Sequence, residues 1–477
     1  MDLVRIYITS VVQIRTDSSF PSFLMEPVQH DFLKLFTNSG TPEIAQYILI
    51  FLDYNDLKNA ERVCKLWYHV IRDGKIWKRC LEKMLYNPTL WNIYRRCDAL
   101  PSKPHPMAIQ IRDLQFFKMA CHTVMRYHQR LLYNWMTGAQ QEESHQIDVC
   151  GTSVSFDMNS RYLVIGQLDG QILVRIREDV ALESQSYEMP ELKLEGLQSG
   201  IRCVRLNEEN ILVCGGLVCG GAQGVVQIWD VSLRKIIKRF TEKQADSIEH
   251  VQFYNKILIT GSSMQESDQG RVTIWNMGNL PQILLKGEIL FPSQKIFGLA
   301  LDDKHIIVLV GKAPLFEIQI RLTRDPLILL HSMHYPSHTF SGFHCHVGFV
   351  AAGSDDGKIR IWDVGTGKCK RILLRPSHDT GPFWLRFNSK FLVTNSSRGI
   401  GIWNFKEAVN PFIHPCVRLH CCSFRACSSS QSDQWHFQMD AFEIVRFEHQ
   451  LDAGMLPDLP GIYRGKSFII RHQFLPH

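Results

Sequence analysis

The sequence predicts an α + all-β chain: a helical N-terminal third, then a β-rich remainder assembled from repeats. Three observations carry this. Up to roughly residue 140 apolar side chains recur at helical spacing, whereas beyond it short β-rich runs alternate with Gly, Asp and Asn turns. The β-rich runs themselves recur, several of them closing on Trp-Asp or Trp-Asn. The 477 residues are 45% hydrophobic, 21% charged and 10% aromatic, enough for a sizeable core spread over two or three domains.

Composition also narrows the classes of function. The net charge of +6 is spread along the chain without a concentrated basic stripe, so no nucleic-acid partner is expected. No window holds the ~18–20 uncharged apolar residues of a membrane span, and no membrane association is expected. Residues 1–24 are interrupted by Arg5 and Arg15, precede a second methionine, Met25, and make a poor secretory signal; they are set aside as an N-terminal extension. The 14 cysteines lie irregularly between Cys64 and Cys427 and read as free thiols of a reducing compartment, cytoplasm and/or nucleus.

The first helix starts with Thr41 as N-cap and Pro42 at its first position. Ile44, Ile48 and Leu52 follow at helical spacing, with Tyr47 and Phe51 beside them. A second helix is expected from Asn55 or Asp56, its stripe running through Leu57, Ala60, Cys64, Trp67 and Ile71 to a stop at Asp73-Gly74. Ile76, Trp77, Cys80, Leu81 and Met84 open another. These short helices carry bulky apolar groups in several directions and bury too little alone, so the rest of the chain or a partner must cover them. Leu100–Pro106 is rich in proline and reads as a connection.

Pro42 to Lys78 resembles an F-box, the helical motif that docks on the Skp-type adaptor of cullin-based ubiquitin ligases. The matching residues are Pro42-Glu43-Ile44, Ile48-Leu49, Leu52-Asp53, Asp56-Leu57, Val63-Cys64-Lys65, Trp67 and Trp77, with Thr41 standing where the family usually has leucine. The resemblance implies adaptor contacts from Pro42, Ile44, Ile48, Leu49, Leu52, Leu57, Val63, Cys64, Trp67 and Trp77. Upstream, Gln29-His30-Asp31-Phe32 is similar to the segment that supports dimerisation in β-transducin-repeat-containing F-box proteins, making residues 25–40 a possible homodimer element. Trp77 to Trp91 is similar to that family's post-F-box helix, and Asn134-Trp135 with Gly138 to its entry into the β domain. The expected division is 41–80 F-box, 81–148 helical linker and 149–477 repeats with an irregular C-terminal region.

The clearest repeat is Phe349 to Leu374: Val350 and Ala352 lead into an Asp355-Asp356-Gly357 turn, then Ile359 and Ile361 alternate with Lys358 and Arg360 up to Trp362-Asp363. This is a WD-type propeller repeat, about 40–45 residues long. Related units end at Trp229-Asp230, Trp275-Asn276 and Trp403-Asn404; degenerate copies are expected near Phe316 and from Val154 to Ile176, with Arg175 in the tryptophan position. An alternating run, Phe442 to Phe447, completes a seventh unit. A closed β-propeller protects its strand edges; seven blades are favoured and six are possible. Cys416–Gln431 matches no blade and reads as an insertion or loose tail.

The whole chain therefore resembles an F-box and WD-repeat protein of the β-transducin-repeat-containing type. That implies a non-catalytic substrate receptor of an SCF (Skp–cullin–F-box) ubiquitin ligase, with a Skp-type adaptor, cullin, RING protein and target protein as partners and no cofactor. The alternative is a diverged WD-repeat scaffold without ligase function. In the family, arginines on the propeller top clamp a doubly phosphorylated peptide; here Arg202 matches one position, while the other slots hold Glu249 or His250, Phe297 or Gly298, and Pro382 or Phe383. Arg271, Lys358 and Arg398 near turns could compensate, and Trp384 is a candidate aromatic anchor. Phosphorylated and unphosphorylated degrons both stay open.

Other chemistry finds little support. Gly215–Gly224 is glycine-rich but lacks the Gly-Lys-Ser/Thr ending of a phosphate loop. His344-Cys345-His346 puts two imidazoles on one strand face without further ligands, and His414, Cys416, His420, Cys421, Cys422 and Cys427 lack paired C-x₂-C spacing, so no metal is expected. The family resemblance gives His338 a structural role bracing Asp356, while His378 has no equivalent aspartate. No catalytic constellation is recognisable.

Overall fold

The computed structural model describes residues 32–73, 76–96, 114–147, 155–167, 169–177, 191–194, 197, 200–217, 223–242, 247–264, 269–338, 341–346, 348–374, 383–388, 390–396, 399–404, 412–413, 417–419, 437–439, 443–451 and 465–474. The chain divides into two compact units, one up to Tyr133 and one from Asn134 onward. Gln29-His30-Asp31, the proline-rich connection, His378, Arg398, His414, Cys416 and the cysteines from Cys421 onward lie outside the described residues.

The first unit is helical: α1 (Phe32–Asn38), α2 (Pro42–Leu49), α3 (Tyr54–Ala60), α4 (Lys65–Asp73), α5 (Ile76–Leu85), α6 (Pro88–Arg96) and α7 (Leu114–Thr137). Gly40, at φ +76°, ends α1 in a Schellman motif: Thr41 N–H donates to Phe36 O at 2.9 Å and Gly40 N–H to Thr37 O at 3.2 Å. Thr41 is occupied in this closure, its hydroxyl bonding Phe36 O at 3.3 Å, so it precedes α2 without the expected side-chain cap. Asp53 does cap α3, accepting from Asp56 N–H at 3.0 Å, which sets the helix start at Tyr54 and not at Asn55 or Asp56.

The single stripe expected from Leu57 to Ile71 is two helices. Arg62 and Val63 N–H bond back only three residues, to Asn59 and Ala60, which tightens the chain and closes α3 before α4 begins. The break carries Glu61, whose carboxylate accepts from Trp77 Nε1 at 2.9 Å and from Lys118 Nζ at 2.6 Å, tying the turn to α5 and α7.

The second unit is a β-propeller. Six sheets are built on consecutive stretches of chain, at 155–194, 201–242, 247–291, 295–336, 341–374 and 383–419 (blades 1–6), with Phe412–Ile413 from the last stretch pairing parallel to the outer strand of blade 5. A seventh sheet joins Phe437–Met439, Glu443–Leu451 and Gly465–Gln473 to Gln141–Ile147, a strand from the other end of the domain, which pairs antiparallel with Gly465–Gln473. Gln141–Ile147 is thus a propeller strand and not helical linker. The innermost strand of this sheet, Phe437–Met439, touches the inner strands of both blades 1 and 6, which closes the ring of sheets. Within the region expected to be an insertion, Val417–Leu419 is the outer strand of blade 6, paired with Ile400–Ile402.

The core lies between blades. Ile201, Val204 and Leu206 of blade 2 pack with Val164, Ile172 and Val174 of blade 1, and equivalent clusters fill the next seams through blade 6. Seam packing is tight: a Cβ on Gly342 would meet Leu385 N at 2.5 Å, and one on Gly215 would meet Ile248 Cγ2 at 2.6 Å. The degenerate copies occupy ordinary blade positions, with Arg175 opposite Leu163 in the register where Trp229 faces Leu212. Leu315–Leu322 is the third strand of blade 4.

Candidate docking faces and comparison with known proteins

On the helical unit, α2 and the turn after it are apolar on two sides. Ala45, Leu49 and Leu52 are buried, while Ile44, Tyr47 and Phe51 stand 45%, 63% and 45% exposed with Ile48 half-buried among them in sequence. The exposed set is spaced i, i+3, i+4, i+7, one stripe of a helix. Tyr47 and Phe51 pack edge to face, ring centroids 5.4 Å apart, which holds the two rings as a preformed surface. Large apolar groups in this arrangement mark an interaction face.

The ten residues expected to touch an adaptor therefore separate. Ile44 is exposed, and Pro42, Ile48 and Cys64 are half-buried. Leu49, Leu52, Leu57, Val63, Trp67 and Trp77 are buried within the chain, and Trp77 is further held by Glu61. They shape the surface from beneath. Tyr47 and Phe51 complete the exposed stripe; the signal was their spacing from Ile44.

On the propeller, four inner strands carry the same irregularity near their first residues. A β-bulge leaves Arg202, Glu249, Phe297 and Gly342 without a register partner in blades 2 to 5. Arg202 is exposed as expected, but the equivalent place on the next blade is the exposed carboxylate-bearing Glu249, not a second cation. Strand alternation puts the starts of the third strands at this same end, including Lys358 and Arg271. Lys358 lies 3.5 Å from Asp356. Arg271 is only 7% exposed, set in a strand opposite Ser262 and beside buried Glu242, so burial keeps it from the surface where a target would be met. Trp384, second in its inner strand, is half-buried.

The Asp355-Asp356 turn is a structural clasp. Asp356 accepts from Arg360 Nη2 at 2.7 Å, Lys358 N–H at 3.0 Å and the Ser354 hydroxyl. Burial alone would push its carboxyl up, but these bonds bring it down to about 2. His338 braces the neighbouring Asp355, through its backbone N–H at 2.8 Å, and not Asp356. His344 and His346 both set their rings edge-on to Phe387, at 5.1 and 6.0 Å, and His344 Nδ1 accepts Phe387 N–H at 3.2 Å. Among the described residues no group of three or more His, Cys, Asp or Glu is arranged to hold a metal.

Comparison with known proteins matches both units. Residues 42–83 match the F-box-like family and residues 333–363 the WD domain, G-beta repeat family. Over 70 residues, 15% of this chain, the sequence is 41% identical to F-box and WD repeat domain-containing 11-A of Danio rerio. It is 24% identical over 178 residues, 37% of this chain, to the CCR4-associated factor 4 homolog of Vanderwaltozyma polyspora. The matched stretches span 12% and 24% of those relatives' own lengths. A chain of a mitotic checkpoint complex is similar at 15% identity with a TM-score of 0.46, covering 64% of this chain and 87% of that one. The family matches and the Danio rerio relative support an F-box and WD-repeat protein.

Proposed function

We propose that the chain is the substrate-recognition subunit of an SCF-type ubiquitin ligase, of the β-transducin-repeat-containing kind. The observation that carries this is the exposed Ile44–Tyr47–Ile48–Phe51 stripe inside the F-box-like segment. A Skp-type adaptor covers that stripe and links the chain to cullin and RING protein, while the bulged end of the propeller holds a target. The receptor breaks no bond itself; it raises the effective concentration of a target lysine near the charged ubiquitin carrier. With Arg202 neighboured by Glu249, the target segment is read without a clamp for two phosphates. Such a subunit works in cytoplasm and/or nucleus.

Co-expression of the full chain with a Skp-type adaptor, followed by size-exclusion chromatography, tests the reading. A stoichiometric complex is expected. A soluble chain that ignores the adaptor would overturn it and leave a protein-binding scaffold.

A further inference from the structure

The outer strand of a blade ends its sheet, and alternate residues there point backbone N–H and C=O groups away from the sheet. One such edge is already used within this chain. Phe412–Ile413 pairs parallel with Ile372 and Leu373 on the outer strand of blade 5, adding a fifth strand to that blade. The circumference of the propeller therefore accepts an added strand.

Blade 2 offers a longer edge that is held ready. Its outer strand, Lys235–Glu242, is eight residues long and ends its sheet. On the inner side it pairs along its length with Gly224–Asp230. From blade 3 the Trp275 ring packs on Phe240, centroids 4.8 Å apart, and the Thr260 hydroxyl donates to Glu242 at 2.9 Å. An edge fixed in this way gives up little freedom when another strand pairs with it.

The edge is also strongly charged in one sense. Arg234, Lys235 and Arg239 are exposed and Lys238 is half-buried, while Glu242, the carboxylate of the strand, is buried. Among the described residues none of the four cations is held in an ion pair. Arg239 lies opposite Gln227 and Lys238 opposite Ile228, so positive charge stands on both faces of the strand. Ile236, 42% exposed, adds an apolar contact between them and the turn. Neighbouring edges differ: Gln282–Phe291 of blade 3 sets Glu288 beside Lys286, and Leu329–Pro336 of blade 4 holds no Asp, Glu, Lys or Arg.

We propose that the free edge of blade 2 takes up an extended acidic segment of a partner protein as a fifth strand. Backbone hydrogen bonds supply the pairing, carboxylates meet Lys235, Lys238 and Arg239, and an apolar side chain meets Ile236. Like charge turns away a second copy of the same edge, and opposite charge selects the acidic strand. This contact needs neither the bulged end of the propeller nor adaptor capture.

The test measures fluorescence anisotropy of fluorescein-labelled peptides, matched in length to the strand, with the full chain. A peptide alternating glutamate with valine should bind saturably, one per chain, and several-fold more weakly when salt rises from about 0.05 M to about 0.5 M. A lysine–valine peptide should not bind. A glutamate–proline peptide keeps the charge but lacks half the backbone donors, and should bind roughly tenfold or more weakly. Lys235→Glu with Arg239→Glu, both at exposed positions, should weaken the glutamate–valine peptide by about tenfold or more. Should that double variant fail to fold, Arg239→Gln alone should weaken it by roughly threefold. No saturable binding of the glutamate–valine peptide overturns the proposal. Equal binding of the glutamate–proline peptide, or undiminished affinity in a folded variant, overturns it as well.

Discussion

Trp135 stacks on Phe474 with ring centroids 4.0 Å apart and an interplanar angle of 16°. Phe391 of blade 6 stacks on the same indole at 5.3 Å, and Asn134 Nδ2 donates to Phe474 O at 3.1 Å across 340 positions of sequence. The three rings are fully buried and pin the chain's entry into the propeller to its last strand. Trp135→Ala should cost about 3–5 kcal/mol, the range for truncating a buried aromatic. Urea unfolding followed by circular dichroism measures it; a loss below 1 kcal/mol would mean that the seam is held elsewhere.

The two-sided apolar character of α2 separates docking from folding. Tyr47→Asp with Ile44→Asp should abolish adaptor capture while leaving the far-ultraviolet spectrum and melting temperature nearly unchanged. Leu52→Asp and Trp67→Asp should unfold the helical unit, because they place a charge in its core. Equal adaptor capture by the Tyr47/Ile44 double variant and the parent would move the docking face elsewhere.

Glu61 is the acceptor for two donors from distant helices. Glu61→Ala leaves Trp77 Nε1–H and Lys118 without it and should destabilise the helical unit by roughly 1–3 kcal/mol. Since Glu61 lies off the exposed stripe, adaptor affinity at low temperature should hardly change; a large loss in a still-folded variant would contradict this separation.

Two carboxylates give opposite pH dependences. Asp356 is depressed to about 2, so the stability it adds is present above the unfolded carboxylate range near 3.9 and disappears as pH falls toward 2. Glu242 is raised, first by burial, although the hydroxyls of Thr260 and Thr273 bond it. Its contribution is full below the unfolded value near 4.3 and is lost as pH rises through the folded value. Relative to the parent, Glu242→Gln should gain stability with rising pH and Asp356→Asn should lose it. Parallel melting curves from pH 3 to 8 that run without divergence would contradict both assignments.

The repeats were legible because Trp229, Trp275, Trp362 and Trp403 each follow an alternating strand, and because Asp356-Gly357 signals a hairpin. The run near Phe442 likewise foretold the strand Glu443–Leu451. Two features were not legible, for definite physical reasons. Gln141–Ile147 has no alternating apolar face, and only its partner Gly465–Gln473 makes it a strand. In α2 both the 44–47–48–51 and the 45–49–52 stripes are apolar, so periodicity alone cannot say which one the chain buries. Nor can sequence show that Asp157, Arg205 and Arg386 take equivalent places on three inner strands, since only the register sets them there.

The strand Gln141–Ile147 has a consequence for synthesis. As the nascent chain leaves the ribosome this segment emerges early, yet its partner Gly465–Gln473 appears only after all six other blades. Until then blade 1 and the most recently made blade each present an unsealed flank, as sticky to a neighbouring polysome product as to their proper mate. The ring can be latched only in one late, long-range event, so the chain should depend on chaperone holding throughout elongation and should be most vulnerable to premature termination in its last blade.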